Sequence, residues 1–463
     1  MAVTARLLQP APMRVAVVGM GYVGLTTAVA LAWLGHRVHG VETNAGRLHQ
    51  LRLGKPPFFE RGLADTLAAV HGRLTFSDSP ADVVGTCDVV FLTVGTPAAT
   101  DGSVDLRQLW TAAGALAAAD SPDDLVVVNK ATSPPGTLQE LADRLPGRLH
   151  LASNPEFLRQ GRALTDTLYP ERIVVGATDA LAEQCLRDLY LPVLEGGFDP
   201  PPGCSPPPSP REPVPFLTMD PRSAELAKYA ANAFLATKVT FANEIANVCE
   251  AVGADVNDVV AVMGTDPRIG PEFLRPGVGY GGACLPKDTA ALAHFASAAG
   301  YDFRLLRGTI EVNDGQWQRA VTKLECALGS LDRRTIAVLG LAFKAGTDDL
   351  RGATSLEVIQ ALLARGSDVV VHDPLVSDAA GAQLPPGSRF HAQLAEALSG
   401  ADAALLLTDS PEYRQIDASL LAGMRGRVVV DGRNALDPAR LAGFTYIGTG
   451  RRSRLLVSPS RSA

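Results

Sequence analysis

Cysteine is sparse and unpatterned in this chain: six residues in 463, at 87, 185, 204, 249, 284 and 326. None forms a C-x-x-C pair, and none neighbours a histidine at zinc-finger spacing. That excludes the usual signatures of a disulfide frame or a structural metal site and points to reduced thiols. Histidine is scarce too, with eight copies, none inside the densest motifs. An enzyme built from this chain would take its acid and base from other side chains. No apolar run is long enough to span a bilayer. Basic runs are missing and the net charge is −7, so nucleic acid and anionic membranes are poor partners. The opening stretch MAVTARLLQPAP has no apolar export segment, and a cytoplasmic protein is expected.

What is present suits a soluble globular protein: 46% hydrophobic and 20% charged residues. The length exceeds one ordinary core, so two or three domains are expected. The stretch MRVAVVGMGYVGLTTAVALAWLGHRVHGVE, residues 13–42, opens the first. Residues 13–18 read as a buried strand, 22–34 as a helix with Gly35 as its cap, and 37–41 as a second strand. Gly19, Gly21 and Gly24 match G-x-G-x-x-G. The first permits a tight turn, the second lets backbone approach a pyrophosphate, and the third lets helix pack on strand. The helix N-terminus then presents N–H groups to the phosphates. Glu42, at the end of the second strand, suits the ribose hydroxyls and would repel a 2′-phosphate, favouring NAD over NADP. A bland glycine-rich turn is the alternative, but strand, glycines, helix, strand and acid come in order. None of the eight tyrosines has a lysine four residues on, which leaves no Tyr-x-x-x-Lys base for a short-chain epimerase or dehydratase.

Further strands are expected in 87–97, 124–132, 149–156 and 172–178, giving a doubly wound parallel sheet. Thr93 and Thr96 beside Pro97, and Thr132 before Pro134, lie at strand C-termini, where such sheets bind ligands; ordinary turn chemistry accounts for them equally well. Residues 200–215 hold nine prolines in sixteen and should form an exposed, extended connector, with Cys204 a bystander. From Asp220 to Gly253 the chain is rich in alanine and leucine without an interior glycine, and one long helix is expected. Lys228 and Asn232 share a face of it. A lysine there is usually a solvated charge, but an asparagine among alanines is less expected, and both are candidates for a site.

YGGACLPKD, residues 280–288, is the most informative short stretch. Pro286 fits the first turn of a helix, placing Cys284 at or just before its N-terminus, where a thiolate is favoured. Gly281 and Gly282 would give a substrate room, and Asp288 lies one turn on. Spacing alone leaves Cys284 open as nucleophile or as a structural small residue. A third region starts near Thr335, with strands in SDVVVHDP, ADAALLLTD and GRVVVDGRN. It reads as a second sheet of the same kind without G-x-G-x-x-G, so a second dinucleotide is not expected. The fold class is therefore α/β: two Rossmann-like doubly wound parallel-sheet domains joined by a long central helix. The expected segments are a dinucleotide domain (13–199), a proline-rich linker (200–217), a central helical domain (218–315), a C-terminal domain (316–448) and a disordered tail (449–463).

Taken together, GMGYVGL, FLTVGTP, KATSPPGT, NPEFLRQG, AELAKYAANAFLATK, RIGPEFLRPGVGYGGACLPKD, LGLAFKAGTDDLR and VVVDGRN resemble the UDP-glucose/GDP-mannose dehydrogenase family over about residues 13–440. The resemblance implies a homodimer built on the long helix, an active site between domains, and oxidation of a nucleotide-hexose C6 alcohol to a carboxylate, UDP-glucose to UDP-glucuronate. Two NAD are used, and a cysteine thiohemiacetal and thioester are the intermediates. It makes Cys284 the nucleophile, with Lys228 and Asn232 at the oxyanion. Asp288, Thr132 and Glu156 join the polar cluster around the attacking water, with Lys228 as proton acceptor. It places Tyr22, Val23, Arg47, Thr96, Thr132, Lys287 and Arg351 at the NAD site beside the glycines and Glu42. Phe157, Leu158 and Arg159 would line the sugar pocket. Phe273, Leu274, Tyr280 and Gly281 would cradle the nucleotide sugar, and Phe343, Lys344 and Arg433 would contact it from the last domain. Arg268 would reach the neighbouring subunit's substrate; its plain alternative is a surface pair with Asp266.

One departure stands out. Many relatives read N-P-E-F-L-x-E-G, whereas this chain has Gln160 at the second glutamate. Glutamine cannot serve as a base, so slow thioester hydrolysis is one expectation. The alternatives kept open are the same chemistry on dTDP-glucose or GDP-mannose, and an inactive nucleotide-sugar-binding protein.

Overall fold

The computed structural model describes residues 11–82, 84–204, 213–377 and 383–451. They fall into two compact units, Met1–Ala230 and Ala231–Ala463, with the boundary inside one continuous helix, Pro221–Val252. That helix has 32 residues, about 48 Å of rise. It begins with proline, whose missing N–H costs nothing at a first turn, and stops at Gly253, which has φ +75°.

The first unit is built on eight strands: β1 (Arg14–Val18), β2 (Arg37–Val41), β3 (Leu74–Ser77), β4 (Val89–Leu92), β5 (Val126–Asn129), β6 (His150–Ser153), β7 (Ile173–Ala177) and β8 (Phe216–Met219). Their spatial order is β3-β2-β1-β4-β5-β6-β7-β8, so strand order reverses between β1 and β4. Val15, Val17, Phe91 and Val128 feed one core and Ala16, Val18, Val90 and Val127 the other. Alternation along each strand thus supplies both faces, as a sheet covered on both sides requires.

Two features differ from the expected sheet. β6 and β7 pair antiparallel, so the sheet is not wholly parallel. β3 and β8 are additional outer strands. They are short and half-exposed, and carry no continuous apolar run that would mark them. β8 follows the proline-rich stretch directly. Residues 205–212 of that stretch lie outside the described residues; at its start Pro200, Pro202 and Gly203 are exposed, as expected, but Pro201 and Cys204 are buried. Cys204 is buried in the first core. Gly62, at φ +76°, has no room for a Cβ, which would meet the Pro202 carbonyl oxygen at 2.8 Å and Cys204 Sγ at 3.3 Å. Burial pushes the Cys204 thiol up. Apolar packing is what draws Cys204 in.

The second unit carries β9 (Thr335–Leu339), β10 (Asp368–His372), β11 (Ser388–Phe390), β12 (Ala403–Leu406), β13 (Val428–Asp431) and β14 (Thr445–Gly448), in the order β11-β10-β9-β12-β13-β14. Each of these pairings is parallel. The outer strands β11 and β14 were not expected. The boundary expected at 315/316 falls inside a helix of 25 residues, Arg304–Leu328. The expected disordered tail lies outside the described residues from 452 onward. In the loop after β9, the backbone N–H groups of Leu341 and Ala342 donate to one buried carboxylate oxygen of Asp373, at 2.8 and 3.1 Å. In a dinucleotide-binding loop such groups face a pyrophosphate; here an internal anion satisfies them.

Candidate active site

In the first unit β1 runs into the turn at Gly19, which holds φ +98°. A Cβ at Gly19 would meet Val94 backbone at 3.0 Å, and one at Gly24 would lie 1.8 Å from the Gly19 carbonyl oxygen and 2.6 Å from Thr93 Oγ1. A Cβ at Gly21 would meet nothing within 4 Å. Gly19 and Gly24 are therefore demanded by the protein's own packing, whereas Gly21 borders open space. Thr93 clamps the turn, its hydroxyl donating to the Val18 and Gly19 carbonyls at 2.9 and 2.8 Å. The helix that follows, Tyr22–Trp33, has no side-chain cap at its N-terminus, and the Tyr22 ring stacks on Phe58 at 3.8 Å. Val23 lies in its first turn. Glu42 is buried just past β2, accepts from the Asn44 N–H at 2.8 Å and lies 3.8 Å from Arg47. Open backbone at Gly21, an uncapped helix start and an acid at the next strand end fit a dinucleotide. Gly21→Ala is expected to change unfolding stability by no more than about 0.5 kcal/mol and to weaken NAD binding roughly tenfold or more. Gly24→Ala is expected to cost about 1–3 kcal/mol of stability by overpacking. Urea unfolding and NAD titration of the two variants separate these effects.

The ends of β5 and β6 and the start of the long helix gather a second group. Lys228 Nζ donates to Glu156 Oε1 at 3.0 Å, and both side chains are buried. Burial alone would raise the Glu156 pKa. Lys228, the Leu158 N–H and the more distant Lys130 outweigh it and hold the carboxyl below its ordinary value. Lys228 Nζ also lies 5.5 Å from the Phe157 ring centroid, and the Arg172 guanidinium 3.9 Å from it. Lys130 does not stand out in the sequence. It is buried, donates to Asn154 Oδ1 at 2.9 Å, and is pushed by burial down to about 8. Only its surroundings mark it, since a lysine after a strand is ordinarily solvated. Thr132 sits in the same loop, its carbonyl accepting from Thr96 Oγ1 at 2.7 Å. Arg159 is engaged with Asp166 at 2.7 Å.

In the second unit Cys284 occupies the N-cap position of helix Leu285–Ala298, exposed, with Pro286 in the first turn. The helix start read from LPKD is therefore observed. Asp288 is buried and accepts from Asn232 Nδ2 and from Lys287 Nζ, both at 2.5 Å. Its own N–H donates to the Cys284 carbonyl at 2.8 Å. The two preceding glycines are also required by packing. A Cβ at Gly281 would lie 2.3 Å from the Gly352 carbonyl oxygen, and one at Gly282, at φ +89°, would lie 2.6 Å from the Phe343 ring. They let the cysteine loop pack onto residues 343–352, and the Gly282 N–H donates to Gly352 O at 2.9 Å.

Three helix-borne amides hold the loop that leads to Cys284. Asn243 accepts from the Gly277 N–H at 2.7 Å, Gln316 donates to the Gly277 carbonyl at 3.0 Å, and Asn313 accepts from the Tyr280 N–H at 2.7 Å. The sequence reading missed all three; an amide among the core-facing positions of a helix was the available signal. In this loop Phe273 has φ +61°, a conformation uncommon for a bulky residue. Leu274 is buried. With Arg275, Asp409, Arg414, Arg433 and Asn257 it lines a cavity of about 530 Å³. Arg433 Nε donates to the Leu407 carbonyl at 2.7 Å, and burial lowers its pKa despite Asp409 and Asp431. Lys344 Nζ lies 5.5 Å from the Phe343 ring centroid. Arg268 is exposed and paired with Asp266 at 2.6 Å, the plain alternative foreseen for it. Arg351 pairs likewise with Asp349 at 2.6 Å.

The chain matches three family models: the UDP-glucose/GDP-mannose dehydrogenase family NAD binding domain over residues 13–194, its central domain over 222–315 and its UDP binding domain over 337–438. It is 39% identical over 454 residues to a UDP-glucose 6-dehydrogenase of Bacillus subtilis, covering 95% of this chain and 98% of that one. It is 41% identical over 459 residues to a UDP-glucose 6-dehydrogenase of Pseudomonas aeruginosa, covering 95% and 98%. Among solved structures, a UDP-glucose dehydrogenase from Pyrobaculum islandicum superposes with a TM-score of 0.85 at 38% identity, covering 96% of this chain and 99% of that one.

Proposed function

This chain belongs to the UDP-glucose/GDP-mannose dehydrogenase family, and we propose that it oxidises the C6 alcohol of UDP-glucose to the carboxylate of UDP-glucuronate. The observation that carries the reading is Cys284 at a helix N-terminus, one turn before a buried Asp288 held by Asn232 and Lys287. NAD, when bound, accepts a hydride in each of two oxidations. Gly19, Gly21, Gly24, Tyr22, Val23, Glu42 and Arg47 hold it, with Thr96, Thr132, Lys287 and Arg351 as further contacts.

The chain's own residues do the rest. The Cys284 thiolate adds to the C6 aldehyde formed by the first oxidation. The resulting thiohemiacetal becomes a thioester in the second oxidation, and water releases the acid and restores the thiol. Lys228 and Asn232 donate to the C6 oxygen as charge develops on it. Glu156, Asp288 and Thr132 orient the attacking water, and Lys228 is the proton acceptor only when it is in its neutral form. Phe157, Leu158 and Arg159 line the sugar. Phe273, Leu274, Tyr280, Gly281, Phe343, Lys344 and Arg433 hold the remainder of the nucleotide sugar, and Arg268 serves the neighbouring subunit.

A homodimer is part of this reading. Phe234, Phe241 and Val248 follow one another at seven-residue intervals on the long helix and are 68%, 52% and 54% exposed. Such an apolar stripe marks a partner surface. A solution mass near twice 48.5 kDa supports it; a monomer at micromolar concentration removes it. Among the described residues no helix is long and apolar enough to cross a membrane, and we place the enzyme in the cytoplasm, which fractionation of the source cells tests.

The deciding experiment counts NADH released per UDP-glucose consumed, with dTDP-glucose and GDP-mannose beside it. Two NADH per sugar supports the four-electron route and shows that Gln160 permits hydrolysis. One NADH per site followed by arrest means a trapped thioester. No turnover with any of the three sugars overturns the reading.

A further inference from the structure

We propose that Glu225 is a positioning residue that locks the helix carrying Lys228 to the loop carrying Thr132. The inference rests on the function proposed above and deepens it.

Glu225 lies three residues before Lys228, in the first turns of the long helix, and is 3% exposed. Its two carboxylate oxygens accept from two backbone N–H groups of a distant segment, Gly136 at 2.6 Å and Leu138 at 2.8 Å. These open helix Thr137–Arg144, whose N-cap residue Gly136 sits at φ +101° and has no side chain to cap it. That backbone conformation strains the serine, threonine or aspartate that would ordinarily do so. The cap therefore has to come from another element.

Every stage of the loop between β5 and this helix is tied. Thr96 holds the Thr132 carbonyl, Asn129 Nδ2 donates to Ser133 Oγ at 2.8 Å, and Glu225 holds Gly136. The first tie runs to the loop after β4 and the second to the end of β5. The third runs to the helix that places Lys228 against Glu156. A carboxylate buried this deeply carries a desolvation cost that an exposed cap would avoid, and burial does push Glu225 up to about 7. Two strong hydrogen bonds from this one side chain fix the helix along its axis relative to the loop. The proposed water-orienting hydroxyl of Thr132 and the ammonium of Lys228 then keep one separation through the catalytic cycle.

The test compares the full-length enzyme with Glu225→Gln and Glu225→Ala at pH 8, where the carboxylate is ionised. Hydrogen exchange at the Gly136 and Leu138 amides reads the tie itself; kcat, KM and the pre-steady-state NADH burst read its consequence. We expect faster exchange at both amides, kcat lowered about 10- to 100-fold and KM for UDP-glucose within about threefold of the parent. A burst followed by slow turnover is expected to place the defect in hydrolysis. The glutamine variant, which keeps one acceptor, should fall between parent and alanine, and it alone decides should the alanine variant not fold. Unchanged exchange overturns the tie. Faster exchange with unchanged kcat overturns the positioning role and leaves a helix cap. Absence of turnover in the parent enzyme with every sugar sinks the function reading instead, and hydrogen exchange by itself then decides whether Glu225 holds the loop.

Discussion

Cys284→Ser is expected to lower steady-state NADH release by about 1,000-fold or more, with UDP-glucose and NAD still binding. Serine keeps the size and the helix-start position of Cys284, so binding surfaces and stability are retained. What it loses is the thiolate. An alkoxide is not available near neutral pH, so capture of the aldehyde fails and no activated ester forms. The first oxidation does not use the nucleophile, so one NADH per sugar can still form at low yield. Rapid-quench product analysis with isothermal titration checks both halves. Turnover within tenfold of the parent, or two NADH per sugar from the serine variant, would falsify the nucleophile assignment and return Cys284 to a structural role.

Lys228→Met is expected to have the largest effect on stability, about 3–5 kcal/mol, because it leaves the buried Glu156 without its cation. The pH dependence should also change sign. In the parent the folded pKa of Glu156 lies below its ordinary value of 4.5. The pair therefore contributes stability above about pH 4.5 and loses it as pH falls through the folded pKa. Without Lys228, burial, already the largest single influence, is opposed only by the Leu158 N–H and Lys130, and the folded pKa rises. Stability from this group is then greatest in acid and is lost as pH rises. Urea unfolding from pH 4 to pH 8 measures the reversal. Adding Glu156→Gln to Lys228→Met should recover most of the stability, since the buried charge is removed. It should not recover activity, where losing a donor to the developing oxyanion costs about 100- to 1,000-fold. Equal stability of single variant and parent would show that Glu156 finds other partners.

Some of this was open to reading and some was not. The glycine turn, the long helix, the helix start after Cys284 and the strands at the middle of both sheets were legible. Each depends on local chemistry: a turn that needs positive φ, an alanine-rich run without breakers, a proline in a first turn, or valine runs buried on both faces. Outer strands β3, β8 and β11 were hidden because half-exposed strands carry no continuous apolar run, and β14, though mostly buried, is only four residues long. The antiparallel pairing of β6 with β7 was hidden because strand direction is settled by the path of the whole chain.

The same division runs through the candidate site. The sequence by itself offered Cys284, Lys228, Asn232 and Asp288 as candidates, because residue type and spacing are local properties, and Glu156 came with the family resemblance. Only the tertiary structure decided their state: Lys228 paired and buried rather than solvated, Asp288 clamped by Asn232 and Lys287, Gly281 and Gly282 packed closely against residues 343–352, and Cys204 drawn into a core. Glu225 and Lys130 could be recognised only there. Burial and hydrogen-bond partners belong to residues far apart in the chain, as with Gly136 and Glu225 at a separation of 89. No local pattern encodes a contact over that distance, because what creates it is the desolvation of both groups when the sheet and helices close around them.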